Sequence, residues 1–209
     1  SRFIDRPLRP QFPDEWLNET QIQCIVISAD GEHDPDVLAV LGASAALSVS
    51  DIPWGGPLGA LRLGRINGQF IINPTHSQME ESDLDLIYVG DERNVVMFEG
   101  AADEISEADF SAAMQFAQAA IQPMIAAQRE LVKIAGKPKR TFEVSEIPAD
   151  IITSAKEIIG DRLIPALTVE GKLAREAAVD VLKTELTDKL TEKYGEEIIT
   201  SVLLGDIFY

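Results

Sequence analysis

The sequence predicts an α+β domain followed by an all-helical segment. Three observations carry that expectation. Short apolar runs separated by turn residues fill the chain to about residue 98, the pattern of strands around one early helix. A long helical periodicity starts at Ser106 and stops at Gly136 and Pro138. Beyond Pro138 only helical periodicity remains. The expected division is therefore a domain over residues 1–136, a linker over 137–144 and an all-helical domain over 145–209. With 209 residues and 45% hydrophobic content, the chain can build a sizeable core.

Each element follows from local chemistry. Residues 1–20 read as an irregular entry, because Pro7, Pro10 and Pro13 remove backbone donors and disfavour helix just before them. A strand is expected over 21–29. There Ile22, Cys24 and Val26 alternate with Ile25 and Ile27, so both faces are apolar and Cys24 reads as a small buried hydrophobe. Asp34 reads as an N-cap with Pro35 at the first helical position, and the helix is expected from about Asp36 to Val49. Gly42, Ala43, Ala45 and Ala46 suit that helix to close packing on a sheet. Ile52-Pro53-Trp54-Gly55-Gly56-Pro57 ends it.

Two strands, 58–66 and 69–72, flank Asn67-Gly68, a strong short-hairpin signal. Two more are expected over 84–89 and 95–98. Ser106 and Asp109 form a capping-box-like pair, with Ile105 and Phe110 at the staple positions. Pro123 should kink or divide the helix that follows. In the last segment Leu173, Ala177, Val181, Leu186 and Leu190 lie near one helix face, Tyr194-Gly195 ends it, and a final helix is expected from Glu196 to Leu203-Leu204.

Lys and Arg number 18 against 35 Asp and Glu, a net charge of −17. Such a surface repels polyanions unless its arginines are focused in one place. No run approaches the roughly 20 apolar residues of a membrane span. The single Cys24 excludes an internal disulfide framework and a cysteine-cluster metal site. The sequence has no initiator Met and ends on Ile207-Phe208-Tyr209, which reads as a piece of something longer.

Several residues are candidates for chemistry. Arg2, Arg6 and Arg9 concentrate positive charge; they either face phosphate or pin the entry by pairing with Asp5 or another acid. Asp83 and Asp85 share a strand face and, with Glu80 and Glu81, either bind Mg²⁺ or form a solvated edge. His33 and His76 fall in loops with no nucleophile paired to them. Trp54-Gly55-Gly56-Pro57 lacks the Gly-Lys-Ser/Thr ending of a phosphate loop and reads as a turn. Lys137-Pro138-Lys139-Arg140 reads as a solvated hinge.

One resemblance goes further. Arg2-Phe3-Ile4-Asp5-Arg6-Pro7-Leu8-Arg9-Pro10-Gln11-Phe12-Pro13 closely resembles the R-L-I-D-R-P-I-R-P-L-F-P stretch of the bacterial polynucleotide phosphorylase family. Leu41-Gly42-Ala43-Ser44-Ala45-Ala46-Leu47-Ser48, Ile66-Asn67-Gly68, Asn73-Pro74-Thr75 and Leu84-Asp85-Leu86 continue the match in order. The resemblance implies the later part of a first ribonuclease-PH-like domain (ribosomal S5 domain 2-like), a mixed sheet with packed helices whose early strands are missing. The all-helical linker domain of that family would follow.

It also implies a parent that shortens mRNA from the 3′ end by phosphorolysis, releasing nucleoside diphosphates. Mg²⁺, RNA, inorganic phosphate, a homotrimer around an RNA channel, RNA-degradation partner proteins and the cytoplasm belong to that implication. The catalytic pattern is broken in this copy. Pro35 and Asp36 stand where the active repeat binds phosphate. Asp85 matches one catalytic aspartate, but Met79 replaces its partner and Ile87 its lysine. The expectation is a non-catalytic, architectural piece with no metal of its own. In it Asp85 is a structural remnant and Arg2, Arg6 and Arg9 are the RNA-facing residues. The competing expectation is an acidic helical interaction module that binds a basic partner protein.

Overall fold

The computed structural model describes residues 2–142 and 148–195. Two compact units divide between residues 143 and 144. The first is built on four strands, β1 (Gly59–Ile66), β2 (Gln69–Ile72), β3 (Leu84–Gly90) and β4 (Val95–Ala102), in the spatial order β2-β1-β3-β4. The resemblance implies a mixed sheet, whereas all three ladders among the described residues are antiparallel. Their connections are short turns and one small helix, and parallel pairing needs a long crossover. Asn67 and Gly68 both adopt positive φ, 51° and 76°, in the tight β1–β2 turn expected of them.

Alternation along the strands gives the sheet two apolar faces. Ala60, Ile87 and Val89 meet Val37, Val40, Ala43 and Leu47 of α2 (Asp36–Val49). Leu61, Leu63, Leu84, Leu86 and Tyr88 meet Ala113 and Ala117 of α4 (Glu107–Ala120) and Ile125 of α5 (Gln122–Ala135). Helix α3 (His76–Met79) joins β2 to β3. Ser106 caps α4 by accepting from Asp109 N, and Pro123 divides α4 from α5 at Ile121. Ser44 and Gln128 knit the layers together. The Ser44 hydroxyl donates to Gln128 Oε1 at 2.6 Å and accepts from Leu58 N, while Gln128 Nε2 donates to Leu58 O at 2.8 Å.

Three expectations about this unit are corrected. The entry is not irregular: α1 (Arg2–Leu8) precedes a 3₁₀ turn over Arg9–Gln11. Pro7 sits in the last turn of α1, where little helix remains to be broken. Burial of Leu8 and the Asp5–Arg9 pair one turn apart favour the helix, and Trp54 Nε1 donates to Leu8 O. The 21–29 segment is not a strand, and Cys24 is exposed. Ile25 and Ile27 are 78% and 96% exposed. A strand needs a ladder partner, and the described residues supply none beside this segment; it lies along α2, with Cys24 Sγ on Ala39 O. The basic stretch 137–140 is not a free hinge, since Lys137 N donates to Val49 O and Arg140 N to Asp51 O.

The second unit contains α6 (Ala149–Ile159), a 3₁₀ turn over Gly160–Arg162, α7 (Leu163–Leu167) and α8 (Lys172–Tyr194). Its core is Ile151, Ala155, Ile159, Leu186 and Leu190. The expected stripe of α8 is half right: Leu186 and Leu190 are buried together with Leu182, while Leu173, Ala177 and Val181 face solvent. The run 173–177–181 continues at four-residue spacing into Glu185 and Lys189, which are polar, so the row one residue over packs instead. Gly195, at φ 89°, closes the helix. The helix expected from Glu196 lies outside the described residues.

Candidate functional site

The α2-facing side of the sheet ends in a polar cluster. Arg62 follows Ala60 at the strand period of two, so its side chain points toward α2 in line with the core. Arg62 stands opposite Ile87 and Gly64 opposite Asp85, which makes Arg62 and Asp85 diagonal neighbours across the β1–β3 ladder. Arg62 Nη1 donates to both oxygens of Asp85, at 3.1 and 3.0 Å. Its Nη2 donates to Asp36 Oδ2 at 2.8 Å and lies 3.2 Å from Asp34 Oδ2.

Asp36 is the first residue of α2. Its other oxygen accepts from Val37 N at 2.7 Å, so one of the free donors at this helix start is met by the chain's own carboxylate. The helix is capped by Pro35, which has no side-chain hydrogen bond to offer, and not by Asp34 as expected. Asp34 instead pairs with Arg62 and with His76 Nε2 at 3.2 Å. His76 N donates to Glu32 O, and Asp30 holds the preceding turn by accepting from Glu32 N, His33 N and the His33 ring. These bonds, the His33 ring first, hold the Asp30 carboxyl well below the usual carboxylate range. The two histidines, far apart in sequence, thus flank the same loop.

Electrostatics explains why Arg62 tolerates a side chain only 16% exposed. Burial disfavours its charge, but Asp36, Asp85 and Asp34 outweigh that and raise its pKa. The cavity between His33, Asp34, Asp36, Arg62 and Asn73 measures about 10 Å³. A single water needs roughly 10–15 Å³ by the same measure, so a phosphate does not fit there.

Met79 and Ile87 take the positions that the resemblance assigns to an aspartate and a lysine. Ile87 is in the core, and Met79 packs near Gly64 at the end of α3. The donor set does not suit Mg²⁺. Asp85 is engaged by Arg62, Asp83 lies 3.8 Å from Arg65, and no three His, Cys, Asp or Glu side chains among the described residues are placed to hold a metal. Arg65 lies three residues after Arg62, on the opposite face, with Asp109 of α4 at 3.2 Å.

Arg2, Arg6 and Arg9 do not form one cluster of free cations. Arg9 pairs with both oxygens of Asp5 and Arg6 with Glu99 at 2.6 Å, while Arg2 is exposed. Sequence reasoning passed over Arg62. The signal was present: an arginine at an inward position of a two-sided strand demands buried carboxylates.

Two family models account for more than half of the chain. The model described as 3′ exoribonuclease family, domain 1, matches residues 1–53, and that described as domain 2 of the same family matches residues 56–120. Proteins named polyribonucleotide nucleotidyltransferase align with almost all of it. The one from Methylacidiphilum infernorum (isolate V4) is 49% identical over 93% of this chain and 27% of its own length. That from Syntrophotalea carbinolica is 47% identical over 94% of the chain and 28% of itself. That from Geobacter sulfurreducens is 42% identical over 100% of the chain and 30% of itself. The chain thus spans under a third of the length of these curated relatives. The α+β fold is the ribonuclease-PH-like one, and the chain belongs to the 3′ exoribonuclease family, among relatives that carry the name polyribonucleotide nucleotidyltransferase.

Proposed function

We propose that this chain is a non-catalytic section of an enzyme that shortens RNA from the 3′ end by phosphorolysis. In this reading residues 1–136 are the later part of a first ribonuclease-PH-like domain, 137–144 a linker and 145–209 the helical domain that follows. One observation carries it: the start of α2, where the resemblance places phosphate, is filled by Asp36 and the Arg62 guanidinium it engages. A helix N-terminus ordinarily welcomes an anion. Here an incoming phosphate meets three carboxylates around one guanidinium whose two terminal nitrogens they already engage.

Catalysis by phosphorolysis needs a phosphate cradle and groups to take up charge on the leaving oxygen. Asp85 lacks a carboxylate partner, and both of its oxygens accept from Arg62. Its role is to balance Arg62 and so fix α2 to β1 and β3. Arg2, Arg6 and Arg9 are the residues proposed to reach RNA, since an exposed ion pair is worth only about 0–1 kcal/mol and can be exchanged for a phosphate contact. A trimeric assembly around an RNA channel, Mg²⁺ bound elsewhere in the parent, further RNA-degradation proteins as partners and a cytoplasmic location belong to the same proposal. No helix among the described residues is long and apolar enough to cross a membrane.

The test is direct. The purified chain, incubated with 3′-tailed RNA, orthophosphate and Mg²⁺, should release no nucleoside diphosphate, and ³¹P line widths of phosphate should be unchanged by it. Robust diphosphate release would overturn the reading of Pro35, Asp36 and Asp85.

A further inference from the structure

The segment by which the chain leaves the first unit is fastened to the carboxyl end of α2. Lys139 Nζ donates to the carbonyl oxygens of Leu47 at 2.8 Å, Ser48 at 3.1 Å and Ser50 at 2.9 Å. An ammonium has three donors and no acceptor, and here each donor has one carbonyl. These carbonyls belong to the last turn of α2 and its cap, the groups a helix end leaves unpaired and partly negative. The contact is flanked by Lys137 N on Val49 O at 3.0 Å and Arg140 N on Asp51 O at 2.7 Å. Arg140 Nε and Nη2 also donate to the Asp51 carboxylate, at 2.7 and 3.2 Å. Residues 137–140 are exposed. Hydrogen bonds and charge, not apolar burial, hold them in place.

We propose that residues 137–140 form a charge-dependent strap, docked while Lys139 is an ammonium and released when acylation of Lys139 removes that charge. The acyl donor is an acyl phosphate or acyl thioester. Its acyl carbon forms an amide bond to Nζ as its bond to oxygen or sulfur breaks. Of the two protons the ammonium loses, one goes to the leaving group and one to solvent. The resulting amide keeps one N–H where three had been used. The docked ammonium has no lone pair to offer, so acylation takes place on the released strap and then holds it released.

Hydrogen exchange on the full chain tests this. In Lys139→Gln the amides of Lys137 and Arg140 should exchange about tenfold faster or more, with the amides of β1 and β3 unchanged as a control of folding. Lys139→Arg, which keeps the charge, should stay near the unsubstituted chain. Unchanged exchange in Lys139→Gln overturns the proposal, as does Lys139→Arg opening as far as Lys139→Gln. A measurement without any variant adds a second arm. With acetyl phosphate as reagent, mass spectrometry should find Lys139 acetylated at least about tenfold more slowly than the exposed Lys133. Equal rates would count against the strap.

Discussion

Two arginines three residues apart on β1 face opposite sides of one sheet with the same local recipe and different results. Arg62 meets Asp36 from the first turn of α2 and Asp85 from β3. Arg65 meets Asp109 from the first turn of α4 and Asp83 just before β3. Around Arg62 the hydrogen bonds are short and nearly complete; only Nε lacks a partner among the described residues. Around Arg65 the contacts are 3.2 and 3.8 Å, and Arg65 Nη1 and Asp83 Oδ1 are buried without a hydrogen bond. Residue type and helix-end placement bring charges together, but the angle of approach decides whether they bond. A side chain of Arg62's kind becomes a keystone, and one of Arg65's kind remains an incompletely bonded contact.

The comparison can be broken by unfolding experiments. The largest effect is expected for Arg62→Met, which leaves three carboxylates facing one another. A loss of about 2–3 kcal/mol in urea denaturation is expected, below the figure for fully buried pairs because Asp34 and Asp85 reach water. Arg65→Met should lose only about 1 kcal/mol, since it also removes one buried unsatisfied donor, Arg65 Nη1. Equal losses would end the distinction. A double-mutant cycle sharpens it: coupling between Arg62 and Asp36 should be about 1–2 kcal/mol, and between Arg65 and Asp109 below about 0.5 kcal/mol.

The two helix starts differ in the other sense. Helix α4 has a side-chain cap and α2 has none, so Ser106→Ala should cost about 1 kcal/mol, measured by the same denaturation. The smallest effect concerns an exposed pair in the helical unit. Hydrogen bonds from Arg162 first and Lys189 second pull the Glu185 pKa from 4.5 to about 2. The contribution of Glu185 is therefore fully present above about pH 4.5 and fades as pH falls through about 2. Carboxyl NMR titration should show that midpoint move toward the ordinary value in Arg162→Gln, with little change in unfolding. A midpoint unmoved by the substitution would remove this exposed reference from the series.

Local signals in the sequence were sufficient wherever the deciding atoms are neighbours in the chain. Helix α2 begins at Asp36 and ends at Val49 as its composition indicates, the Asn67-Gly68 turn supplies its own positive φ values, and Ser106 and Pro123 bound α4. Failure came where the deciding atoms are distant. The 21–29 segment has the pattern of a strand, but a ladder is a property of two segments. Helix α1 is stabilised by Leu8 meeting Trp54, 46 residues on. In α8 the apolar start of the 173–177–181 row suggests one face, but the packing against α6 falls on the adjacent row of Leu182, Leu186 and Leu190. The site divides in the same way. Asp85, Asp36, Met79 and Ile87 could be singled out by motif. That Arg62 would gather Asp34, Asp36 and Asp85 depends on strand register, which no single window contains.

The junction at Leu58 has a consequence for how this family can vary. Its N–H donates to the Ser44 hydroxyl and its carbonyl accepts from Gln128 Nε2, while the Ser44 hydroxyl gives its one proton to Gln128 Oε1. Either partner lost alone strands a buried amide, so substitution at 44 should travel with substitution at 128: a hydroxyl and a carboxamide inherited together or abandoned together. Helices α2 and α5, which never adjoin in the chain, are in this sense one heritable unit.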